Sequence, residues 1–508
     1  MVYLIGAGPG DPGLMTVKGA ECLRAAHVVI HDRLVSARLL ALARPGTELI
    51  EVGPASPRPL DQDAINYLLA EKAREGHVVA RLKWGDPFLF DGSGREALFL
   101  HEQHIPFEVV PGIPPAIAGP AYAGVPLTVP GVSDTVTLLR GFEDEARTPT
   151  AIDWPSLARL GGTVVCYAGP RQLPEMLDAM ASAGWPPDGN VVLIHEATLP
   201  GQRTDAGTLA DLRERVRAHA PRTPAVLVAG PLVGLREHAR WFDSRPLFGR
   251  RVLVTRPREQ AGPLVDRLVA LGADAVEAPM IRIEPPEDAA PLLAAAAQAS
   301  GFDWIVFSSR NAVASFMDAL LGEGRDLRAL AGPRLCVVGT GTAETLVSYG
   351  IRPDLLPRSF TAEGIVTAML ETGPMTAARV LIPHADIGRE VVGDALRLAG
   401  ADVLDVVAYR TVEEEGQTAG HPDVYRLLLD RQLDVVTFTS PSAVRSFVRS
   451  IGVDQAADLL QQVVVASIGP VTTHAARELG LTVKIQPSTY TVPALVDAIA
   501  AHFARPTP

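Results

Sequence analysis

DWIVFSSRNAVASF, at residues 303–316, recurs as DVVTFTSPSAVRSF at residues 434–447, 131 positions further along the chain. Each copy joins an apolar run typical of a buried strand to a polar loop and the start of an amphipathic helix. An earlier pair keeps a similar spacing, because RVLV at 251–254 matches RVLI at 379–382. A repeat of this length is a domain rather than a solenoid unit. The second half is therefore predicted to be α/β, with two similar doubly wound parallel-sheet lobes and a cleft between them.

The first half begins with a strand that runs into a glycine-rich loop, VYLIGAGPGDPG at residues 2–13. A dinucleotide-binding fingerprint needs its third glycine where this chain has Asp11, and Pro9 stiffens the turn that should approach a pyrophosphate. A nicotinamide-dinucleotide site is therefore a poor interpretation. Such a loop also serves simply to turn the chain tightly, so its glycines alone predict no function.

A polar segment with proline and glycine, DSRPLFG at residues 243–249, separates the two halves and precedes a new strand pattern. We therefore expect a first domain over 1–242, a linker over 243–249 and a second domain over 250–508.

Composition narrows the classes of function. The 508 residues carry 46 basic and 58 acidic side chains, a net charge of −12, which disfavours a broad nucleic-acid-binding surface. The three cysteines have no CxxC spacing and the histidines form no ligand set, so neither a disulfide framework nor a metal site is expected. The first residues lack a signal-peptide pattern and no apolar run is long enough for a bilayer. The expectation is a cytoplasmic protein with no membrane partner.

Eight segments follow one another through the first half in a recognisable order. They are GAGPGDPG (6–13), LMTVKGAECL (14–23), HDRLVS (31–36), RLKWGDPFLF (81–90), FEVVPGIPPAIAGPAYAGVPLT (107–128), CYAGPRQLPE (166–175), EATLPGQR (196–203) and GTLADL (207–212). Together they resemble the tetrapyrrole methylase superfamily, and within it the uroporphyrinogen-III C-methyltransferases. The resemblance implies a fold of two α/β subdomains, often a homodimer, that uses S-adenosylmethionine to methylate uroporphyrinogen III at carbon, giving precorrin-2.

The resemblance also implies which residues meet the cofactor. By motif position these are Pro9, Trp84, Gly85, Asp86, Pro114, Pro115, Ala168 and Ala197. Asp32 takes the place of the family's carboxylate in the active-site cleft. A sulfonium cofactor leaves as a neutral thioether, so methyl transfer depends on alignment and on a base that removes a proton from the pyrrole system. A turn or helix-cap role fits Asp32 equally well.

This chain departs from the family pattern at positions that meet the substrate or move protons. The changed positions are Pro54 for a lysine, Trp84 for a glycine, Gly92 for an arginine, Arg95 for a glutamate, and Val129-Pro130 for a His-Arg pair. Losing cationic partners weakens the binding of an octacarboxylate, and Arg95 and Lys83 are expected to compensate in part. The methylase fold is therefore expected, while its activity on uroporphyrinogen III is left open.

Seven further segments run in order through the second half. They are RRVLVTRP (250–257), FDWIVFSSRNAV (302–313), CVVGTGTAETL (336–346), LIPHADIGREVVGDAL (381–396), VVAYRT (406–411), VTFTSPSAV (436–444) and ASIGPVTTHAARELGL (466–481). With the internal repeat they resemble uroporphyrinogen-III synthase, which closes hydroxymethylbilane with inversion of its last ring and needs no cofactor. In this family the chain crosses twice between lobes. The expected lobes are 250–283 with 413–508, and 284–412.

By motif position Tyr409 is the donor nearest the departing hydroxyl of the bilane, although an interface-hinge role fits it equally well. Polar residues at the starts of helices after strands present free backbone N–H groups that suit the substrate's carboxylates. These residues are Ser308, Ser309, Thr342, Ser440 and Ser442. Each also fits a plain helix N-cap, and a cap is compatible with binding.

Three functions follow from these observations. The leading one is a fused enzyme whose second half makes uroporphyrinogen III and whose first half methylates it, acting on small-molecule tetrapyrroles and dimerising through the methylase half. A second keeps the synthase active and makes the first half a catalytically degenerate module for dimerisation or stability. A third gives the first half another substrate, such as RNA or modified protein residues, which the acidic composition disfavours.

Overall fold

The computed structural model describes residues 1–53, 56, 59–90, 92–141, 152–219, 221, 223–322, 324–358, 362–386, 391–413 and 422–504. The chain forms two compact units: Met1–Arg250 with Leu271–Asp274, and Arg251–Ala270 with Ala275–Pro508. The residues expected to link the two halves, 243–249, fall within the first unit.

The first unit contains two sheets. Its strands are β1 Val2–Gly6, β2 Val28–Asp32, β3 Glu48–Val52, β4 Val79–Lys83, β5 Phe107–Val110, β6 Val136–Gly141, β7 Thr163–Ala168, β8 Asn190–His195, β9 Arg203–Thr208 and β10 Ala225–Ala229. Its helices are α1 Val17–Ala25, α2 Ala37–Leu40, α3 Gln62–Arg74, α4 Ser93–Glu102, α5 Pro115–Tyr122, α6 Trp154–Leu160, α7 Leu173–Ser182, α8 Leu209–Ala218 and α9 Arg236–Ala239, with 3₁₀ turns at Pro12–Leu14 and Pro231–Leu235.

The first sheet runs β3-β2-β4-β1-β5 and all of its pairs are parallel. Successive residues of its strands face opposite cores, with Leu4 and Ile30 packed against α3 and α4, and Ile5 and Val29 against α1 and α2. Parallel strands end at the same edge, so the loops after β1, β2 and β4 meet there. The second sheet, β6-β7-β10-β8-β9, is mixed, with only β6 and β7 parallel.

The second half of the chain contains two more sheets. Its strands are β11 Arg251–Val254, β12 Asp274–Glu277, β13 Ile281–Glu284, β14 Trp304–Phe307, β15 Arg334–Val337, β16 Arg379–Ala385, β17 Asp402–Glu413, β18 Val435–Phe438, β19 Val464–Ser467 and β20 Val483–Ile485. Its helices are α10 Arg258–Ala270, α11 Ala290–Ala297, α12 Arg310–Gly322, α13 Thr340–Ser348, α14 Ala362–Thr372, α15 Val391–Leu398, α16 Val424–Leu429, α17 Pro441–Ile451, α18 Val453–Leu459, α19 Pro470–Glu478 and α20 Val492–Phe503, with 3₁₀ turns at Ala299–Gly301 and Leu327–Leu330.

The internal repeat is visible as two sheets, β12-β11-β18-β19-β20 and β13-β17-β16-β14-β15. The repeated strands β14 and β18 each lie inside their sheet and pair in parallel with both neighbours. The repeated phenylalanines also pack alike, because Phe307 meets Phe316 at 5.6 Å and Phe438 meets Phe447 at 5.3 Å between ring centroids. The predicted pair of similar α/β lobes is confirmed.

One boundary within this half differs from the prediction. Strand β13 pairs antiparallel with the end of β17, so that Ile281 lies opposite Glu413. Residues 281–283 and 413, assigned from the sequence to the first lobe, therefore lie in the sheet of the second. A four-residue edge strand carries no periodic signal of which sheet it joins, and its partner lies more than 120 residues away.

Three findings concern membrane-spanning helices, metal sites and the cysteines. Among the helices of the described residues, none has the length and apolar character needed to cross a membrane. In the same part of the chain no group of three or more His, Cys, Asp or Glu side chains is placed to hold a metal ion. The three cysteines, Cys22, Cys166 and Cys336, are buried and free.

Candidate functional site

Two loops meet at the carboxyl edge of the first sheet. Gly8 N donates a hydrogen bond to Gly85 O at 3.1 Å, and Gly85 N donates one to Gly8 O at 2.8 Å. Both glycines have positive φ, 78° and 74°, where a side chain would strain the backbone. Pro9 follows Gly8 and Asp86 follows Gly85, so these two hydrogen bonds place the loops of Pro9 and Asp86 side by side.

The Asp86 side chain connects these loops to a third. Its Oδ1 accepts a hydrogen bond from Phe88 N at 2.8 Å, and its Oδ2 accepts one from Gly112 N at 3.0 Å. Shortly after Gly112 the chain reaches Pro114 and Pro115, and Pro115 is the first residue of α5. These two prolines therefore belong to the same loop cluster as Asp86.

Trp84 occupies a position where the family has glycine. Its indole Nε1 donates a hydrogen bond to Pro9 O at 3.0 Å, and its ring lies edge-on to Tyr167 with 6.5 Å between centroids. Tyr167 belongs to β7 of the second sheet, and its hydroxyl accepts a hydrogen bond from Ala116 N of α5 at 3.1 Å. The indole therefore joins the glycine-rich loop to the apolar core that α5 shares with the second sheet.

The two remaining cofactor candidates lie in the second sheet's part of the unit. Ala197 packs in the core beside α5, whereas the side chain of Ala168 packs with Leu173 and Met176 on the opposite face of the sheet. Alternate residues of a strand point to opposite faces, so Ala168 faces away from α5 while its neighbour Tyr167 faces toward it. Any cofactor contact at Ala168 must therefore use backbone atoms.

Asp11 fixes the glycine-rich loop against the second subdomain, a role that the sequence did not predict. Its Oδ1 accepts from Gly13 N at 2.8 Å, its Oδ2 accepts from the Tyr122 hydroxyl at 2.7 Å, and its own N–H donates to Thr198 Oγ1 at 3.1 Å. Burial and the Asp11 carboxylate both raise the pKa of Tyr122, so this phenol remains a donor. These hydrogen bonds hold the glycine-rich loop against the segments that carry Tyr122 and Thr198.

Asp32 ends β2 at the same edge, and its side chain is held by an arginine. Arg81 Nη2 donates to Asp32 Oδ1 at 2.6 Å, and the Arg81 side chain is 2% exposed against 28% for Asp32. Burial opposes the charge of Arg81, but Asp32 and Glu96 outweigh it and raise the pKa of Arg81. Asp32 also begins a turn, because its backbone oxygen accepts a hydrogen bond from Val35 N at 3.1 Å. Its side chain is a carboxylate anchored from inside and partly open to solvent.

Glu96 is the inner partner of this network and is fully buried. Its Oε1 accepts from Arg81 Nε at 3.1 Å and from Lys83 Nζ at 3.3 Å, and its Oε2 accepts from Ser93 Oγ at 3.1 Å. Burial alone would raise its pKa, but Arg81 and Lys83 lower the pKa of Glu96 to about 2. Lys83 is 3% exposed, so the expectation that it meets substrate carboxylates is wrong: it faces inward, to Glu96.

The substituted positions have distinct surroundings. A Cβ at Gly92 would lie 2.6 Å from Gln62 Oε1, so the family's arginine has no room there unless Gln62 moves. Val129 closes a turn with Ser133 through two backbone hydrogen bonds of 3.1 and 3.0 Å, and Pro130 lies exposed within it. Arg95 is exposed on α4. Pro54 lies outside the described residues.

In the second unit, two predicted residues are brought together. Ser309 Oγ lies 3.0 Å from the Tyr409 hydroxyl and also accepts a hydrogen bond from Ala312 N at 3.0 Å, which caps α12. Tyr409 is 7% exposed. Burial raises its pKa, although hydrogen bonds with Ser309 and Asn311 act in the opposite direction. The phenol therefore stays protonated at neutral pH.

The other predicted polar residues are more dispersed. Ser440 Oγ accepts from Ala443 N at 3.2 Å and caps α17. Thr342 is buried in the first turn of α13, whose preceding Gly339 offers no side-chain cap. Ser308 is exposed and Ser442 half-buried. The plain cap role thus holds for Ser309 and Ser440, while the start of α13 retains free backbone N–H groups.

A cavity of about 740 Å³ opens between the two lobes, which confirms the predicted cleft. Arg256 and Gln260 line it from the first lobe, and Arg310 and Asn311 line it from the second. Gln260 Nε2 donates to Asn311 Oδ1 at 2.6 Å across the gap. Its lining includes the chain neighbours of Ser309 and Tyr409 rather than those two side chains.

Sequence reasoning missed the charged residues that organise both sites. Arg81 and Glu96 lie within apolar patterns, and a charge at a core-facing position of a strand or helix was the available signal. Arg256 comes directly after an apolar strand pattern, in the motif VLVTRP at residues 252–257. Their partners could not be inferred, because each partner comes from a different element.

Two family models match the chain. Residues 1–213 match the model described as Tetrapyrrole (Corrin/Porphyrin) Methylases, and residues 262–497 match Uroporphyrinogen-III synthase HemD. The chain is also 34% identical over 484 residues to the porphyrin biosynthesis protein HemD of Ruminiclostridium josui, covering 94% of both proteins. It belongs to this family of fused methylase–synthase proteins. The families predicted from the motifs are confirmed, and the protein is a two-domain enzyme of tetrapyrrole biosynthesis.

Further relatives match part of the chain. A uroporphyrinogen-III C-methyltransferase of Bacillus subtilis is 38% identical over 331 residues, which are 65% of this chain and 68% of the relative. An S-adenosyl-L-methionine-dependent uroporphyrinogen III methyltransferase of Methanosarcina barkeri is 39% identical over 237 residues, which are 46% of this chain and 93% of the relative.

Proposed function

We propose that the second half, residues 250–508, closes hydroxymethylbilane to uroporphyrinogen III and that the first half, residues 1–242, methylates this product to precorrin-2. The observation that carries the methylase part is the convergence of the Pro9 and Asp86 loops on the strand edge where Asp32 ends β2. The synthase part is supported by the cleft between duplicated lobes. Because one product is the other's substrate, the fusion is chemically coherent.

The loop cluster of the first half suits S-adenosylmethionine. A Cβ at Gly6 would lie 2.5 Å from the backbone of Gly112, so the chain entering the glycine-rich loop approaches the Gly112 loop backbone to backbone and presents N–H and C=O groups there. Pro9, Trp84, Gly85, Asp86, Pro114, Pro115, Ala168 and Ala197 are the residues we propose to hold the cofactor, which supplies a methyl group on a cationic sulfur. The anionic Asp32 at the same edge is compatible with that charge.

Asp32 is proposed as the base. Arg81 holds one oxygen of the Asp32 carboxylate and so fixes the side chain, and the 28% exposure of Asp32 leaves the carboxylate accessible to solvent. A carboxylate positioned in this way accepts the proton that the pyrrole system loses after methylation. Its alignment costs no reorganisation at the moment of reaction, because the Arg81–Glu96 pair is already in place.

In the second half, Tyr409 is proposed as the donor to the departing hydroxyl of the bilane. Its raised pKa keeps the proton on the phenol, and Ser309 orients the group from 3.0 Å away. Backbone N–H groups near Ser308, Ser309, Thr342, Ser440 and Ser442 are proposed to bind substrate carboxylates. No cofactor is required, because loss of the hydroxyl generates its own electrophile and the enzyme chiefly folds the chain for ring closure.

The methylase activity is tested by incubating the purified full-length protein with uroporphyrinogen III and S-adenosylmethionine labelled in its methyl group. Label in the macrocycle supports the proposal. The alternative is a degenerate first half that serves dimerisation or stability, and it is favoured by the substitutions at Gly92 and Val129-Pro130 and by the inward-facing Lys83. Cofactor binding without label transfer supports that alternative and overturns the methylase proposal.

We further propose that the protein is a cytoplasmic homodimer that associates through the methylase half, with no nucleic-acid partner. The acidic composition supports the last point. Sedimentation equilibrium of the full chain and of residues 1–242 expressed alone tests the dimer. A monomeric full-length protein contradicts it.

A further inference from the structure

Arg256 is a buried cation in the synthase cleft that no carboxylate of the described residues neutralises. It follows β11, is 8% exposed, and donates through Nη2 to the neutral amide oxygen of Gln260 at 3.3 Å. Burial, together with the like charge of Arg310, lowers its pKa to about 10, so it remains charged at neutral pH. Keeping a cation away from water without a counter-ion is unfavourable, which indicates a site completed by an anionic ligand.

Arg310 approaches the same cavity from the other lobe. It begins α12, and its guanidinium lies against Gly341 in the first turn of α13, where a Cβ would overlap it. Among the described residues, Arg310 forms an ion pair with Glu344 at 3.4 Å, and that glutamate side chain is 72% exposed. An exposed pair of this kind is worth little, so Arg310 remains available to a ligand.

The acidic residues that line the cavity do not neutralise Arg256 and Arg310. Glu259, Glu284 and Asp318 also line it. Glu284 is bound by Arg282 at 2.6 Å and Arg410 at 3.0 Å. Within the described part of the chain, Glu259 and Asp318 form no ion pair with Arg256 or Arg310.

We propose that Arg256 and Arg310, one from each lobe, together bind a single carboxylate of the tetrapyrrole chain. Guanidinium groups match carboxylates in shape and form charge-assisted hydrogen bonds with them, and two of them facing one anion remove their mutual repulsion. The anchored carboxylate fixes how the bilane lies across both lobes before the ring closes. This inference rests on the proposed synthase function and names the groups that recognise its substrate.

The test uses the full-length protein with Arg256→Met, Arg310→Met, the double variant and Arg256→Lys. The control is Arg328→Met, an arginine of the second lobe that is 91% exposed. Each single Met variant is expected to raise KM for hydroxymethylbilane about tenfold, the value of one charge-assisted hydrogen bond, and to increase the fraction of uroporphyrinogen I, the isomer formed without ring inversion. Arg256→Lys is expected to fall between wild type and Arg256→Met, and the control to be unchanged.

Two further readouts keep the proposal falsifiable. The double variant is expected to be little worse than either single variant, because both arginines hold one anion; multiplying effects contradict a shared carboxylate. Removing an uncompensated cation is expected to leave the Tm of Arg256→Met equal to or above that of wild type, and a large loss of Tm contradicts the absence of an internal partner. An unchanged KM and isomer ratio in both single variants overturns the proposal.

Failure of the proposed synthase function is distinguished by a binding measurement. Uroporphyrin III, a stable macrocycle with eight carboxylates, is titrated into wild type and Arg256→Met and followed by its fluorescence. Weaker binding to the variant, by about tenfold, supports the carboxylate site even if the wild type closes no bilane. Equal binding contradicts the site whatever the wild type's activity.

Discussion

The two halves of the protein treat buried charge in opposite ways. In the methylase half, Arg81 and Lys83 are both neutralised by Glu96, and Arg81 also holds Asp32. In the synthase half, Arg256 faces a cavity, and its hydrogen-bond partner among the described residues is the amide oxygen of Gln260. The ion-pair network of Arg81 and Glu96 fixes the Asp32 side chain in position. Arg256, without an ion pair among the described residues, is placed to bind an anionic ligand. This difference fits the two reactions. Methyl transfer needs the base and the methyl donor to be aligned, whereas ring closure needs the carboxylates of an extended substrate to be bound.

The largest effect on stability is expected from Glu96→Gln, which removes the carboxylate that pairs with both Arg81 and Lys83. Removing the carboxylate leaves Arg81 and Lys83 buried without their shared anion, which costs about 3 to 5 kcal/mol. We expect the methylase half to unfold at a markedly lower temperature in calorimetry, while the synthase half is unaffected. Glu102→Gln, an exposed glutamate on the same helix, is the matched control. An equal effect of both variants contradicts the network's role.

The same residue predicts a pH dependence. The pKa of Glu96 is about 2 in the folded protein and near its ordinary value of 4.5 when unfolded. Its contribution is therefore fully present above the ordinary value and is lost as the pH falls from there toward about 2. The stability difference between wild type and Glu96→Gln should shrink over that acidic range. A difference that does not change with pH contradicts the assignment.

Asp32→Asn is expected to reduce methyl transfer about 100-fold or more, because the amide cannot accept the proton from the substrate. The amide still accepts a hydrogen bond from Arg81, so the affinity for S-adenosylmethionine should change little. Titration calorimetry and single-turnover label transfer measure the two quantities separately. Asp63→Asn, at an exposed aspartate of α3, provides the control. Full transfer activity in Asp32→Asn rules out the role as base.

Tyr409→Phe is expected to slow bilane closure about tenfold through loss of one hydrogen bond, with kcat rather than KM affected. Because burial raises the pKa of this phenol, wild-type activity should stay level from neutral to mildly alkaline pH. Tyr425→Phe removes the hydroxyl of a tyrosine that is 40% exposed and should have no effect. A Tyr409→Phe variant with normal kcat indicates a hinge residue instead.

The smallest effect is expected at Ser440, and it separates capping from substrate binding. Ser440→Ala removes the cap of α17 and should lower the free energy of unfolding of the synthase half by about 1 kcal/mol. Ser440→Asp preserves the cap but adds a negative charge, so it should raise KM only if substrate carboxylates approach this loop. Equal KM values in both variants restrict Ser440 to capping.

Much of the fold was predictable because its signal is periodic. The recurrence of residues 303–316 at 434–447 predicted two lobes, and the equivalent Phe307–Phe316 and Phe438–Phe447 contacts show why the pattern persists: each pair closes the same strand–helix core. Residues 281–283 of strand β13 were placed in the wrong lobe because pairing with β17 is a long-range choice that four residues do not encode.

Less of the two candidate sites was predictable, because their side-chain contacts join elements that are far apart in the sequence. Motif positions assigned Pro9 and Asp86 to the cofactor and Asp32 to the active-site cleft, and the structure brings the three to one strand edge because parallel strands share an edge whatever the side chains are. The charges that hold Asp32 could not be assigned, since Arg81 and Glu96 are ordinary residues until the fold buries them together. Arg256 escaped notice for the opposite reason, because its significance is that no carboxylate of the described residues forms an ion pair with it.

The central claim is that one chain both closes the ring and methylates it. The most direct measurement supplies hydroxymethylbilane as the sole tetrapyrrole, together with methyl-labelled S-adenosylmethionine, and separates the products after oxidation. We predict that label appears in a macrocycle of the type III isomer, in wild type and not in Asp32→Asn. Unlabelled type III macrocycle from the wild type contradicts the claim for the first half, and type I macrocycle alone contradicts it for the second.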